Sequence, residues 1–195
     1  MPTDWNEPFT RFTELYELAK QKQPKDPNAV TLATVDANGR PSARVVLMKD
    51  VDPRGFVIFT NYDSRKGREL NQQKVAALCF YWPALDRQVR VEGTAEKISA
   101  AESDEYFATR ARISQLGAWA SIQSQPLDDR KTLEQSVADF TRKFEGHRVP
   151  RPPHWGGFRI LPERIEFWTA RENRLHERQL YEKQGDGWAS SALFP

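Results

Sequence analysis

The feature that most constrains the fold of this chain is a run of five short β-type segments, residues 30–35, 42–49, 56–60, 75–82 and 88–98, most of them joined by tight turns. Asp36-Ala37-Asn38-Gly39 offers the Asn-Gly pair that accepts positive φ in a hairpin, and Asp52-Pro53-Arg54-Gly55 reads as a proline-initiated turn. A parallel pair needs a long crossover, so this pattern implies an antiparallel meander or barrel rather than a βαβ sheet. Helices surround it. Phe9, Phe12, Leu15, Tyr16 and Ala19 lie on one face of an N-terminal helix ended by Pro24 and Pro27. Ser64 and Ser99 start two more, Ser99 through a capping box with Glu102, and Leu133, Val137, Phe140 and Phe144 mark a fourth. Residues 149–157 are too rich in Pro and Gly for either regular element. Two last strands follow, 159–169 and 174–182, with a Gly185-Asp186-Gly187 turn near the end. At 195 residues the expectation is one domain, 1–195, with an N-terminal helix within 1–25 and a barrel with helical inserts over 26–195.

Charge removes several functions. Lys plus Arg (29) nearly balances Asp plus Glu (27), which leaves no broad electrostatic footprint for nucleic acid or an anionic membrane, so any anion site must be local. No apolar run approaches the roughly 20 residues that cross a bilayer, and Met1-Pro2-Thr3-Asp4-Trp5 lacks a signal-peptide pattern, so the expectation is a cytoplasmic protein. The single cysteine, Cys79, sits in an apolar run and reads as a buried structural thiol. His147, His154 and His176 have no metal-type spacing, and neither Gly-x-Ser-x-Gly nor Gly-x-Gly-x-x-Gly occurs. Anion-binding groups without an evident nucleophile leave the chemistry to an organic cofactor.

The densest candidate is Ile165-Glu166-Phe167-Trp168 followed by Arg174-Leu175-His176-Glu177-Arg178. In an extended strand Arg174, His176 and Arg178 line one side, a cationic row with an imidazole at its centre, suited to an anionic or electron-rich ligand. Upstream, Arg44-Val45-Val46-Leu47-Met48-Lys49 flanks an apolar strand with cations, which a buried strand with solvated ends also explains. Arg65 and Lys66 follow Ser64 at a helix N-terminus, a place that favours phosphate, although a solvated loop has the same look. Tyr106, Arg110 and Ser114 recur every four residues, so a continuous helix aligns a phenol, a guanidinium and a hydroxyl for a second phosphate, or is an ordinary helix surface. Gln123 and Ser124 add polar groups after Trp119, and Trp155 and Trp168 read first as packing residues.

In order along the chain, Arg44-Val-Val-Leu-Met-Lys49, Ser64-Arg65-Lys66, Arg87-Gln88-Val89, Ser114-Gln115-Leu116-Gly117-Ala118-Trp119 with Gln123-Ser124, Trp155-Gly156-Gly157-Phe158 and the terminal signature resemble the pyridoxamine 5'-phosphate oxidase family. The resemblance runs from about Asp26 to the end. It implies a mainly β, antiparallel Greek-key split β-barrel with peripheral helices, forming a homodimer with FMN at the subunit interface. It assigns FMN to Arg44, Val45, Val46, Leu47, Met48, Lys49, Phe59, Thr60, Arg65, Lys66, Gln88, Gln123, Ser124, Trp168 and Arg178. The substrate falls to Lys49, Tyr106, Arg110, Ser114, Arg174, Leu175 and His176, with Arg174 and His176 catalytic and no metal. The implied reaction oxidises pyridoxamine or pyridoxine 5'-phosphate to pyridoxal 5'-phosphate, with molecular oxygen as acceptor and hydrogen peroxide as product.

Three departures from the family pattern bear on specificity. Met1 to Asn6 is unlike the basic, tyrosine-containing segment that often folds over the substrate, Thr169 follows Trp168 where Gln, His or Gly is usual, and the end Ala192-Leu193-Phe194-Pro195 lacks the usual arginine. The unlike N-terminal segment keeps one alternative open, a split-barrel oxidase of another substrate such as a phenazine precursor; a second alternative is a non-enzymatic flavin or pyridoxal-phosphate binding protein.

Overall fold

In a computed structural model the chain is described over residues 7–23 and 25–195; the expectations placed on Met1 to Asn6 and on Pro24 lie outside the described residues. The element order is α1 Glu7–Lys22, β1 Ala29–Val35, β2 Pro41–Asp52, β3 Gly55–Asn61, α2 Arg65–Gln73, β4 Val75–Trp82, β5 Arg87–Lys97, α3 Ala100–Thr109, α4 Arg112–Ala120, α5 Arg130–Lys143, β6 Trp155–Thr169, β7 Glu177–Gln184 and β8 Gly187–Leu193.

The sheet runs β3-β2-β1-β4-β5-β6-β7-β8, and β3 also pairs with β6, so the first six strands in that order close into a barrel while β7 and β8 extend from it. Strands β3-β2-β1-β4 lie in Greek-key order, as the resemblance implies. Every pairing is antiparallel. The two predicted turns close the β1–β2 and β2–β3 hairpins, with Gly39 at φ 75° and Asp36 Oδ1 accepting from the amides of Asn38 and Arg40. Strand alternation sends Val30, Leu32, Leu78, Phe80, Val89, Val91, Ile165 and Phe167 inward. Helix α1 docks on that core through Phe9 and Phe12, with the Phe12 ring 4.9 Å from Phe56 and 5.0 Å from Phe80. A second core, Phe107, Leu116, Val149 and Trp155, joins α3 and α4 to the start of β6. No helix among the described residues is long and apolar enough to cross a membrane.

Several expectations need correction. Residues 155–157 are strand rather than loop, because β6 runs so close to its neighbours that a Cβ at Gly156 would stand 2.0 Å from the Tyr62 hydroxyl and one at Gly157 2.4 Å from Ile98 Cδ1. The helix expected through Tyr106, Arg110 and Ser114 is broken: α3 stops at Thr109, Arg110 is extended at ψ 147°, and α4 begins at Arg112. The buried Gln115 side chain makes the break, its Nε2 donating to the Phe107 carbonyl at 2.9 Å and so capping α3 from α4. Strand β7 starts at Glu177, because Asn173 and Arg174 both adopt positive φ in a 3₁₀ turn. Cys79 is half-buried on the outer face of the barrel rather than in its core, and burial raises its thiol pKa. Strand β8 was not expected; its Ala-Ser-Ser-Ala centre has little β propensity, and the buried Trp188 anchors it.

Candidate active site

Three groups of candidate residues form, from different elements. The first lies at the N-terminus of α2. Ser64 caps this helix, its Oγ accepting from the Gly67 amide at 3.2 Å. Arg65 and Lys66 stand in its first turn, where unpaired N–H groups already favour an anion. Arg44 arrives from β2, on the strand face shared with Val46 and Met48. Lys66 Nζ lies 3.2 Å from Gln123 Oε1 and 3.4 Å from Thr60 Oγ1, so Thr60, Lys66 and Gln123 meet as expected. Burial lowers the Lys66 pKa and the Arg44 charge lowers it further, against Glu69. These are the surroundings a phosphate would relieve.

Beneath these cations lies Glu69, a residue that sequence reasoning missed. Its carboxylate accepts from Thr34 Oγ1 at 2.5 Å, Ser42 Oγ at 2.7 Å, Arg44 Nη2 at 3.3 Å and Arg65 Nε at 2.8 Å. Burial alone raises a carboxyl pKa, yet the bonds from Thr34, Ser42 and Arg65 outweigh it and bring Glu69 from 4.5 down to about 2. A depressed folded-state value stabilises the fold above the unfolded value, and the gain is lost as pH falls from about 4.5 toward 2. The gain amounts to roughly 3 kcal/mol at neutral pH. Urea unfolding of the native chain and of Glu69→Gln is therefore expected to differ clearly at pH 7 and by roughly half as much at pH 3, since the gain vanishes only near pH 2; a constant gap would sink this account.

The fit of α2 against β3 is tight. A Cβ on Gly67 would stand 2.4 Å from the Tyr62 carbonyl oxygen and 2.5 Å from that of Asn61, both backbone atoms that have nowhere to go. Gly67→Ala is expected to lower stability by about 1–3 kcal/mol and to displace Arg65 and Lys66. Thermal melts check the first effect, and an unchanged melting temperature would count against the packing argument.

The second group lies on the outer face of the barrel. Gln88, Trp168 and Arg178 are direct cross-strand partners on β5, β6 and β7, so three distant motifs become one row. Val45 and Leu47 are exposed on the same outer face, opposite in sense to Arg44, Val46 and Met48. Arg178 is held on Glu166 by two bonds, Nε at 2.8 Å and Nη2 at 3.1 Å, and that contact raises Arg178 and lowers Glu166. Trp168 is half-buried rather than packed in the core, and its ring centroid lies 4.6 Å from that of His176. His176 Nδ1 accepts from the Arg171 backbone amide at 3.2 Å, so the proton of the neutral ring sits on Nε2. Arg174 and Leu175 are exposed in the preceding turn, where the alternating row Arg174-His176-Arg178 does not form.

The third group surrounds Tyr106. Its ring stacks on Phe59 at 4.0 Å, and with Lys49 these residues line a cavity of about 330 Å³. Lys49 is the extra residue of a β-bulge between Met48 and Asp50, a device that re-aims a side chain. Arg110 lies over the Trp155 ring at 4.6 Å, and its Nη1 is buried without a hydrogen-bond partner. Burial lowers the Arg110 pKa, against Tyr106. A buried guanidinium nitrogen without an acceptor fits an anionic ligand. Ser114 is exposed on α4, off the line of Tyr106 and Arg110. No group of three or more His, Cys, Asp or Glu residues among the described ones is arranged to hold a metal.

The closed antiparallel barrel with its two added strands is a split-barrel fold, shared with an FMN-binding protein from Nostoc punctiforme at a TM-score of 0.74 and 21% identity, with 93% of this chain and 96% of that one covered. The model of the family described as pyridoxamine 5'-phosphate oxidase matches residues 18–143, and that of the pyridoxine 5'-phosphate oxidase C-terminal dimerisation region matches 155–195. The chain belongs to the pyridoxamine 5'-phosphate oxidase family. It is 58% identical to a pyridoxine/pyridoxamine 5'-phosphate oxidase of Myxococcus xanthus (strain DK1622), over 97% of this chain and 92% of the relative. Its identity to a protein of that name from Caulobacter vibrioides (strain NA1000 / CB15N) is 56%, over 97% and 85%. Among solved structures, PhzG from Burkholderia lata 383, in complex with tetrahydrophenazine-1-carboxylic acid, aligns with a TM-score of 0.91 at 34% identity, over 96% and 92% of the two chains.

Proposed function

We propose that this chain is an FMN-dependent oxidase converting pyridoxamine and pyridoxine 5'-phosphate to pyridoxal 5'-phosphate, with oxygen as acceptor and hydrogen peroxide as product. The observation that carries the reading, within a family of this name, is the presence of two separate cationic seats. One, built from Arg44, Arg65 and Lys66, suits the phosphate of FMN; the other, built around Arg110 with its unpartnered Nη1, suits the phosphate of the substrate. FMN supplies the electron acceptor for the substrate carbon being oxidised, and oxygen takes the electrons in turn.

The chain's own groups bind and orient. Thr60, Lys66 and Gln123 join the flavin phosphate seat, while Gln88, Trp168 and Arg178 on the outer sheet face border the ring system. Lys49 and Tyr106 share a cavity wall, and with Arg110 they take the substrate phosphate. His176 presents a proton on Nε2 and Arg174 a guanidinium to the substrate ring, fixing the donor carbon for transfer. No side chain has to be a strong base.

Arg44 lies on the core-side face of β2 with Met48, whereas the row of Gln88, Trp168 and Arg178 lies on the outer face of β5, β6 and β7. That division supports a homodimer in which each flavin lies between subunits, and it matches the presence of Trp168, Arg174, His176 and Arg178 in the family's dimerisation region. The exposed Val45 and Leu47 give the outer face apolar surface for a partner copy. Residues 1–195 act as one catalytic domain in the cytoplasm.

Purified protein is expected to be yellow. Addition of pyridoxamine 5'-phosphate without oxygen should bleach the flavin band, and admitted oxygen should restore it with release of aldehyde. Bound flavin that this substrate leaves oxidised would refute the activity. Turnover of a reduced phenazine carboxylate in its place would transfer the chain to the reading suggested by the Burkholderia structure.

A further inference from the structure

We propose that Glu69 is a positioning residue for the flavin phosphate, holding the guanidiniums of Arg44 and Arg65 in the orientation that receives it. The proposal rests on the assignment of Arg44, Arg65 and Lys66 to that phosphate. Glu69 is 4% exposed and lies in the second turn of α2, behind the cations. One oxygen takes Arg65 Nε at 2.8 Å, and the other takes Arg44 Nη2 at 3.3 Å together with the hydroxyls of Thr34 and Ser42. The hydroxyls hold Arg44 in turn: Thr34 Oγ1 accepts from its Nη1 at 2.6 Å and Ser42 Oγ from its Nη2 at 2.5 Å. Arg65, by contrast, uses only Nε on Glu69 among the described residues, so the carboxylate sets the direction of its remaining donors.

A carboxylate inside an anion seat looks self-defeating, and two effects oppose each other. Coulomb repulsion alone predicts that removing Glu69 tightens phosphate binding. Three cations with no anion, however, repel one another when the ligand is absent; Glu69 brings the seat to a formal +2, which matches a phosphate monoester of about −1.5 to −2 at neutral pH. Its charge is also spent on four donors that lie against it, so little of its field reaches the ligand. Orientation should win. In Glu69→Gln one of the two acceptor oxygens becomes an N–H₂ donor, so the side chain can accept from Arg65 Nε or from the Thr34, Ser42 and Arg44 side but not from both.

Riboflavin, which lacks the phosphate, separates positioning from simple folding. Fluorescence titration of the full-length, flavin-free protein should give an FMN Kd about tenfold weaker in Glu69→Gln, the size of one charge-assisted contact, with riboflavin affinity unchanged. Ser42→Ala keeps every charge and removes one hydroxyl between Glu69 and Arg44, and a change of about threefold for FMN alone is expected. The second variant carries the test if the first does not fold. Unchanged or tighter FMN binding in both variants, or equal weakening for FMN and riboflavin, would overturn the proposal. Native protein that binds riboflavin as tightly as FMN would instead overturn the phosphate seat itself.

Discussion

His176→Ala is expected to lower kcat/KM for pyridoxamine 5'-phosphate by about two to three orders of magnitude, with one FMN per subunit still bound. The size follows from the geometry. The imidazole is held at Nδ1 by the Arg171 amide at 3.2 Å and packs against the tilted Trp168 ring, 4.6 Å between centroids, while its backbone leads directly into β7. Its Nε2 donor is therefore preorganised, and a preorganised donor removed from a reacting centre costs far more than a surface hydrogen bond. Arg174→Ala should lose a similar factor, since its guanidinium is carried on a turn of two left-handed residues, Asn173 and Arg174, that has a conformational cost without a packing return. Flavin content, read from the ratio of visible to ultraviolet absorbance, separates this role from cofactor binding. Flavin lost in proportion to activity would remove both residues from the substrate side.

The same turn marks where sequence reasoning reached its limit. Alternation of Arg174, His176 and Arg178 is a valid strand pattern, but a period of two carries no information about where the strand begins, and Asn173 was the available warning because Asn tolerates positive φ. Local devices were legible: the Ser64 cap, the Ser99 and Glu102 capping box and the two hairpin turns each rest on residues at most four positions apart. Contacts made at a distance were not. Glu69 meets Thr34 and Ser42 from 35 and 27 positions away, and Gln115 breaks the expected helix by reaching carbonyls seven and eight residues earlier. The alignment of Gln88, Trp168 and Arg178 needed the register of three strands, which motif order implied only through the family.

The complement of the His176 result is expected at the other seat. Arg65→Ala and Lys66→Ala should each weaken FMN binding by roughly ten- to a hundredfold, with the double variant purifying colourless. Lys66 stands between Thr60 Oγ1 and Gln123 Oε1 in a partly desolvated site, where a phosphate would be its counter-charge, so on the proposed reading its loss removes both a contact and the offset for burying the anion. Arg65 is more exposed and its contact is more strongly screened, which places it at the lower end of that range. Added FMN decides between the two kinds of defect. Excess flavin should restore most of the turnover to Arg65→Ala and Lys66→Ala, because the substrate side of the site is untouched, and should restore none to His176→Ala. The opposite pattern, rescue of His176→Ala by flavin with Lys66→Ala left inactive, would exchange the two seats: the phosphate of the substrate would then belong at α2 and that of FMN near Arg110.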